Sequence, residues 1–157
     1  MRWRHPQRGF IPPSEFIPIA EETGLIIPLG KWVLLEACRQ LMNWNARLPL
    51  ASNLTISVNL SVKQLGDPEL GRTVQQILKA TGINPRRLKL EITESAMMED
   101  HVLMSQTLEQ LKKLNIQLYM DDFGTGYSSL SCLHRFPIDG LKIDRAFIQS
   151  MGQRNDY

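Results

Sequence analysis

Tyr119-Met120-Asp121-Asp122-Phe123-Gly124-Thr125-Gly126-Tyr127-Ser128-Ser129 brings a strand end, an acid pair, a glycine loop and a helix start into one short stretch. Ile116 to Met120 alternates as a strand does and runs into the two adjacent carboxylates. Gly124 and Gly126 then open a loop, and Ser128-Ser129 can cap a helix running toward Arg135. That order suits a phosphate with its metal ion. Carboxylates hold the cation, while glycines let backbone N–H groups approach the anion. Two plainer readings stay open: a tight turn with a solvated Asp pair, and an Asp helix cap. Asp122-Phe123-Gly124 also matches a kinase D-F-G, but no Gly-rich nucleotide loop or His-Arg-Asp catalytic loop accompanies it, so a kinase is excluded.

Outward from this stretch, strands and helices alternate. Leu54 to Leu60 places Leu54, Ile56, Val58 and Leu60 on one side and Thr55, Ser57 and Asn59 on the other. Leu88 to Thr93 repeats the pattern, with Lys89, Glu91 and Thr93 on the polar side, and Gly140 to Asp144 does so with Lys142 and Asp144. Between them, helical spacing predicts helices over Gly30–Arg47, from Asp67 to Thr81 and over Val102–Leu114. A shorter helix is expected from Ser14 to Thr23 and another from Ser128, and a final segment from Arg145 to Met151 leads into a polar tail. Residues 1–13 are expected to be irregular, because Pro6, Gly9, Pro12 and Pro13 punctuate them.

This alternation predicts an α/β fold with parallel strands. The aliphatic side of each strand should pack on helices. The other side carries Asn59, Glu91, Asp121 and Lys142, all at or near strand C-termini. Taken singly, Asn59 could serve a turn, Glu91 and Lys142 an ion pair, and Asp121 a cap. Sharing type, phase and position, they mark the face of an α/β barrel where chemistry collects.

Composition sets the remaining bounds. A chain of 157 residues suits one domain with a real core, and 43% hydrophobic with 22% charged residues is ordinary for a soluble globular protein. A net charge of +2 gives no reason to expect nucleic acid or an acidic membrane. Arg2, Arg4, His5 and Arg8 form a local basic cluster that reads as a solvated chain end. Cys38 and Cys132 lack metal-ligand spacing and read as small apolar residues in a reducing compartment. No apolar segment reads as a signal peptide or a membrane span, so the expected location is cytoplasmic.

Several ordered motifs resemble one family. They are Arg2-Trp3-Arg4-His5-Pro6, Ala20-Glu21-Glu22-Thr23-Gly24-Leu25-Ile26, Val58-Asn59-Leu60-Ser61, Glu91-Ile92-Thr93-Glu94-Ser95, the Asp121–Ser129 stretch, and Leu141-Lys142-Ile143-Asp144-Arg145. They run along nearly the whole chain and resemble the EAL domain, the cyclic-di-GMP-specific phosphodiesterase of bacterial signalling. The resemblance implies a modified TIM barrel with one antiparallel strand. It implies that Asn59, Glu91, Asp121 and Asp122 hold two divalent cations, Mg²⁺ or Mn²⁺, which suits hard oxygen donors. It implies that Lys142 hydrogen-bonds or deprotonates the attacking water, with a pKa lowered by the cations, and that cyclic di-GMP is opened to linear pGpG. Arg2 would contact a substrate phosphate, overriding the solvated reading there. Glu94 would bind no metal but anchor the loop after its strand and take part in dimer contacts.

The chain departs from the family pattern at both ends. The name-giving Glu-Ala-Leu, whose Glu is a metal ligand, is absent, and so are the later strands that carry another metal-site Glu and a Gln. About four of the family's eight strands are expected, so residues 1–157 read as a partial barrel: one EAL domain fragment, weak or inactive alone. The alternative is a degenerate module that binds cyclic di-GMP or a protein partner without hydrolysis. Open sheet edges predict self-association, with a homodimer as the expected form, and the parent protein is expected to carry a sensory or cyclase domain.

Overall fold

The computed structural model describes residues 1–48, 53–98, 101–124 and 136–150. The helix expected from Ser128, Cys132 and the tail after Ser150 lie outside these residues.

The N-terminal stretch corrects the sequence reading. Trp3–His5 (β1) and Gly9–Ile11 (β2) form an antiparallel hairpin instead of irregular chain. Pro6, Gln7 and Arg8 make its turn, Gly9 opens β2 at φ 75, and His5 Nδ1 accepts hydrogen bonds from the backbone N–H of Gln7 and Arg8 at 3.1 and 3.2 Å. Residues that break long elements are the ones a short hairpin needs.

Helix α1 (Pro13–Glu22) follows, then α2 (Ile26–Arg47). The second begins at Ile26 rather than Gly30 because Pro28 sits in the first turn, where its missing N–H removes no helical bond. Strand β3 (Ile56–Leu60) leads into a single turn, α3 (Val62–Leu65), and then α4 (Leu70–Thr81). Ser61 and Gln64 form a reciprocal capping box around α3, a helix the sequence reading missed. Strand β4 (Leu88–Thr93) matches the predicted bounds, and α5 (His101–Lys113) nearly so. Strand β5 (Gln117–Phe123) runs on through Asp122 and Phe123 rather than ending at Asp121. Strand β6 (Gly140–Ile143) and α6 (Arg145–Ser150) complete the described chain.

The sheet is parallel in the order β3-β4-β5-β6, the arrangement of an arc cut from an α/β barrel. Its aliphatic face, with Leu88, Leu90, Ile92, Leu118 and Met120 fully buried, packs with Leu34, Cys38 and Leu41 of α2, Val74 and Ile77 of α4, and Leu108 and Leu111 of α5. Each buried Leu or Ile contributes about 1.5–3 kcal/mol, so this one-sided core holds the sheet flat against the helices. The opposite face carries the polar residues. Among the described residues β3 and β6 are the sheet's two edges, and Leu141 and Ile143 on β6 are exposed. No described helix is long and apolar enough to cross a membrane.

Candidate active site

Parallel register lines up the polar face in rows. Asn59 on β3 pairs with Glu91 on β4, Glu91 with Tyr119 on β5, and Tyr119 with Gly140 on β6; one step further on, Thr93 pairs with Asp121. Lys142 is two residues past Gly140 and therefore on the same face. Its ammonium donates a hydrogen bond to Glu91 Oε2 and lies 3.7 Å from Asp121 Oδ2. The structure thus brings together Glu91, Asp121 and Lys142 from three successive strands.

Glu91 is the buried member, at 4% exposure, and its Oε1 has no hydrogen-bond partner among the described residues. A buried carboxylate oxygen without a donor is costly in an apolar protein and calls for a cation or water. Together with the carboxylate of Asp121 and the amide oxygen of Asn59 on the neighbouring strand, it is a hard-oxygen donor set that fits Mg²⁺ or Mn²⁺. Among the described residues no three His, Cys, Asp or Glu side chains gather into a metal cluster by themselves. Glu91 and Asp121 are instead both drawn to the Lys142 ammonium.

Two adjacent carboxylates on a regular strand would point to opposite faces. Here β5 carries one extra residue against β6: Met120 pairs with Leu141 and Phe123 with Ile143. Asp122 takes up the bulge at φ 55, a left-handed conformation that Asp tolerates better than most residues. Its N–H donates to Asp121 Oδ1 at 3.1 Å. The Asp122 carboxyl pKa is raised, first by loss of water around it and then by the charges of Asp121 and Asp144, with Lys142 pulling the other way. Partial burial by itself would lower the Lys142 pKa, but the Glu91 hydrogen bond and the charges of Glu91 and Asp121 outweigh it, and the net direction is up. The fall expected from nearby cations therefore has no counterpart in the ion-paired arrangement.

Glu94 is 2% exposed and binds backbone rather than the carboxylates: its Oε2 accepts from Gly124 N–H at 2.7 Å, and its own N–H donates to Asp121 O at 3.0 Å. It therefore ties the end of β4 to the chain on both sides of Asp122. Arg2 stands apart. It is exposed and lines a cavity of about 690 Å³ with Trp3, Phe16 and Trp32, whereas its neighbour Met1 also lines a cleft of about 510 Å³ that holds Asn59, Thr93 and Gln64. Asp144, close enough to act on Asp122, was visible in the Lys142/Asp144 alternation but not singled out. Gln64 carried the readable signature Ser61-x-x-Gln64.

An arc of parallel strands with helices on one face, and carboxylates with a lysine gathered toward the strand C-termini, is the layout of an α/β-barrel domain. The EAL domain family matches residues 1–157, and the chain belongs to it. It is 42% identical over 151 residues to the cyclic di-GMP phosphodiesterase PdeR of Escherichia coli, covering 96% of this chain and 22% of that protein. It is 45% identical over 156 residues to the bifunctional diguanylate cyclase/cyclic di-GMP phosphodiesterase MucR of Pseudomonas aeruginosa, covering 99% of this chain and 22% of that protein. Among solved structures, it superposes on the PaMucR phosphodiesterase in its c-di-GMP complex with a TM-score of 0.89 at 44% identity, covering 99% of this chain and 62% of that one. The FimX EAL domain from Pseudomonas aeruginosa bound to c-di-GMP gives a TM-score of 0.86 at 28% identity, covering 97% and 60%. The chain thus spans about a fifth of the length of these curated relatives.

Proposed function

We propose that this chain carries the metal-binding core of a cyclic di-GMP phosphodiesterase that opens the cyclic dinucleotide to linear pGpG. The observation that carries this reading is the buried Glu91 carboxylate, half unpaired, sharing the Lys142 ammonium with Asp121 at the strand ends. In this reading Asn59, Glu91, Asp121 and Asp122 hold two Mg²⁺ or Mn²⁺ ions, which supply Lewis acidity toward the phosphate and a more acidic water. With cations bound, Lys142 would be freed from Glu91 and Asp121, would lose its ammonium proton to solvent, and as the neutral amine would hold the attacking water and take up its proton. Asp122 completes the donor set from its bulge, and Glu94 fixes the backbone that carries both aspartates. Arg2 contacts a phosphate from beside the cleft that begins at Met1.

The four-stranded sheet does not close among the described residues, so turnover by the 157-residue chain is expected to be weak. A cyclase or sensory domain in the same protein is in keeping with the bifunctional cyclase/phosphodiesterase MucR. The open edges favour self-association as a homodimer.

The test is hydrolysis of cyclic di-GMP with Mg²⁺ or Mn²⁺, with pGpG resolved by chromatography, for this chain and for the longer protein that contains it. Metal-dependent pGpG formation that Asp121→Ala and Lys142→Ala abolish in the longer protein supports the reading. Tight binding of cyclic di-GMP with no pGpG from either form refutes hydrolysis and leaves the nucleotide-binding module.

A further inference from the structure

We propose that the Tyr119 ring and the bare α-carbon of Gly140 form a matched pair. Together they hold β6 at the distance from β5 that lets Lys142 reach Glu91 and Asp121. Tyr119 and Gly140 are register partners, and Tyr119 is also the register partner of Glu91. Asp121 follows Tyr119 by two residues and Lys142 follows Gly140 by two, so the row Glu91–Tyr119–Gly140 lies directly beneath the row that carries Asp121 and Lys142. A Cβ on Gly140 would stand 2.5 Å from Tyr119 Cε1 and 3.0 Å from Cδ1 and Cζ, where no atom fits. Gly140 has no positive φ, so its backbone does not call for glycine; the space taken by the ring does.

The ring has a second support. Lys89 Nζ lies 4.7 Å from its centroid, a cation–π contact from the residue two before Glu91 on β4. Tyr119 thus spans from β4 to β6 on the polar face and fills volume below the carboxylates that a side chain at position 140 would otherwise take. Any residue larger than glycine at 140 pushes the ring or β6 aside, and Lys142 moves with β6. Tyr119 and Gly140 are positioning residues: neither is a metal donor. The proposal rests on the cation-site reading above.

A double-mutant cycle on the full 157-residue chain tests it, using Gly140→Ala, Tyr119→Ala, the double variant and Tyr119→Phe. Two readouts are taken: Mn²⁺ affinity from the electron paramagnetic resonance of free Mn²⁺, and, without metal, the ¹⁵N-resolved ammonium signal of Lys142, assigned with Lys142→Arg. Gly140→Ala should tighten Mn²⁺ binding about tenfold, because the cation no longer has to displace the Lys142 ammonium from Glu91 and Asp121. It should also erase the Lys142 signal, because an ammonium released from its carboxylates exchanges its protons too fast to be seen. Tyr119→Phe should match the parent, and Gly140→Ala should add nothing in the Tyr119→Ala background. If Gly140→Ala prevents folding and the double variant folds, that rescue supports the pair. Unchanged readouts in Gly140→Ala, weaker Mn²⁺ binding in that variant, or the same added change in both Tyr119 backgrounds, overturn it. If Glu91→Gln and Asp121→Asn bind Mn²⁺ like the parent, the cation reading fails, and the metal-free Lys142 signal alone decides the pair.

Discussion

Replacing Lys142 with Met should destabilise the cation-free chain, and Mn²⁺ should restore what was lost. Glu91 is nearly fully buried, with Oε1 unpaired and Oε2 bonded to the Lys142 ammonium. Removing one partner of a fully buried ion pair costs about 3–5 kcal/mol, because a bare charge is left behind. Lys142 itself is 44% exposed on its side chain, so water can enter beside Oε2 once the ammonium is gone. That reduces the expected loss to about 1–2 kcal/mol, between the buried and the surface limits. For a chain of this size the shift in Tm is about 2–4 °C per kcal/mol, so the variant should melt about 2–8 °C lower in chelator. Mn²⁺ at a hundredfold excess over its Kd adds about 2.7 kcal/mol to any form that binds it. It should add more to the Met variant than to the parent, because in the parent the cation must first displace the ammonium. Thermal unfolding by circular dichroism, in chelator and in Mn²⁺, makes the comparison. Equal melting of the two proteins in chelator, or an equal Mn²⁺ increment in both, would refute the idea that Lys142 stands in for the cation.

Three further outcomes can be measured on the same material. Glu94→Ala strips the Gly124 N–H of its acceptor and should cost about 1–3 kcal/mol in chemical denaturation while weakening Mn²⁺ binding; Glu94→Gln, which keeps an acceptor oxygen, should lose less. Burial pushes the Cys38 thiol up from 9.0 to about 11, so its contribution to stability is whole below pH 9 and is lost as pH rises from 9 to 11. At the top of that window the loss approaches about 3 kcal/mol, so denaturation curves of parent and Cys38→Ala should converge with rising pH, and a thiol reagent at pH 8 should leave Cys38 unmodified in the folded chain. The open edges at β3 and β6, with Leu141 and Ile143 exposed, should give concentration-dependent self-association; sedimentation showing a monodisperse monomer that binds no ANS would count against it.

What the sequence disclosed follows the strength of its periodicities. Leu88–Thr93 was legible to the residue because Leu88, Leu90 and Ile92 alternate with Lys89, Glu91 and Thr93, and a sheet with helices on one face enforces that alternation. The same phase exposed Asn59, Glu91, Asp121 and Lys142 as one face before any coordinates. The hairpin at Trp3–His5 and Gly9–Ile11 was hidden because each strand is too short to show a period. The end of β5 was misplaced for a different reason: the bulge breaks the period-2 rule, so Asp122 and Phe123 looked like loop. The Tyr119–Gly140 fit had no signature at all, since a contact across strands depends on register, which a single sequence does not display.

That bulge also explains why the acid pair can act together. Asp121 and Asp122 are chain neighbours on a strand, so a regular backbone would give one of them to the helices. The extra residue and the left-handed φ at Asp122 relieve the alternation, at a strain of about 1–3 kcal/mol for a non-glycine residue held there. Strain of that size persists only where surrounding bonds fix it, and here Glu94 holds the backbone on both sides, at Asp121 O and Gly124 N–H. The result is a concentration of charge: Asp121 and Asp144 act on Asp122, and Glu91 and Asp121 act on Lys142. The raised pKa of Asp122 and the raised pKa of Lys142 are two faces of that excess, one carboxyl resisting ionisation and one ammonium resisting its loss. A divalent cation held there, as proposed above, would reverse both at once, because it would favour the ionised Asp122 and compete with Lys142 for Glu91 and Asp121. In that reading the charge that would complete the donor set would also free the lysine from its carboxylates.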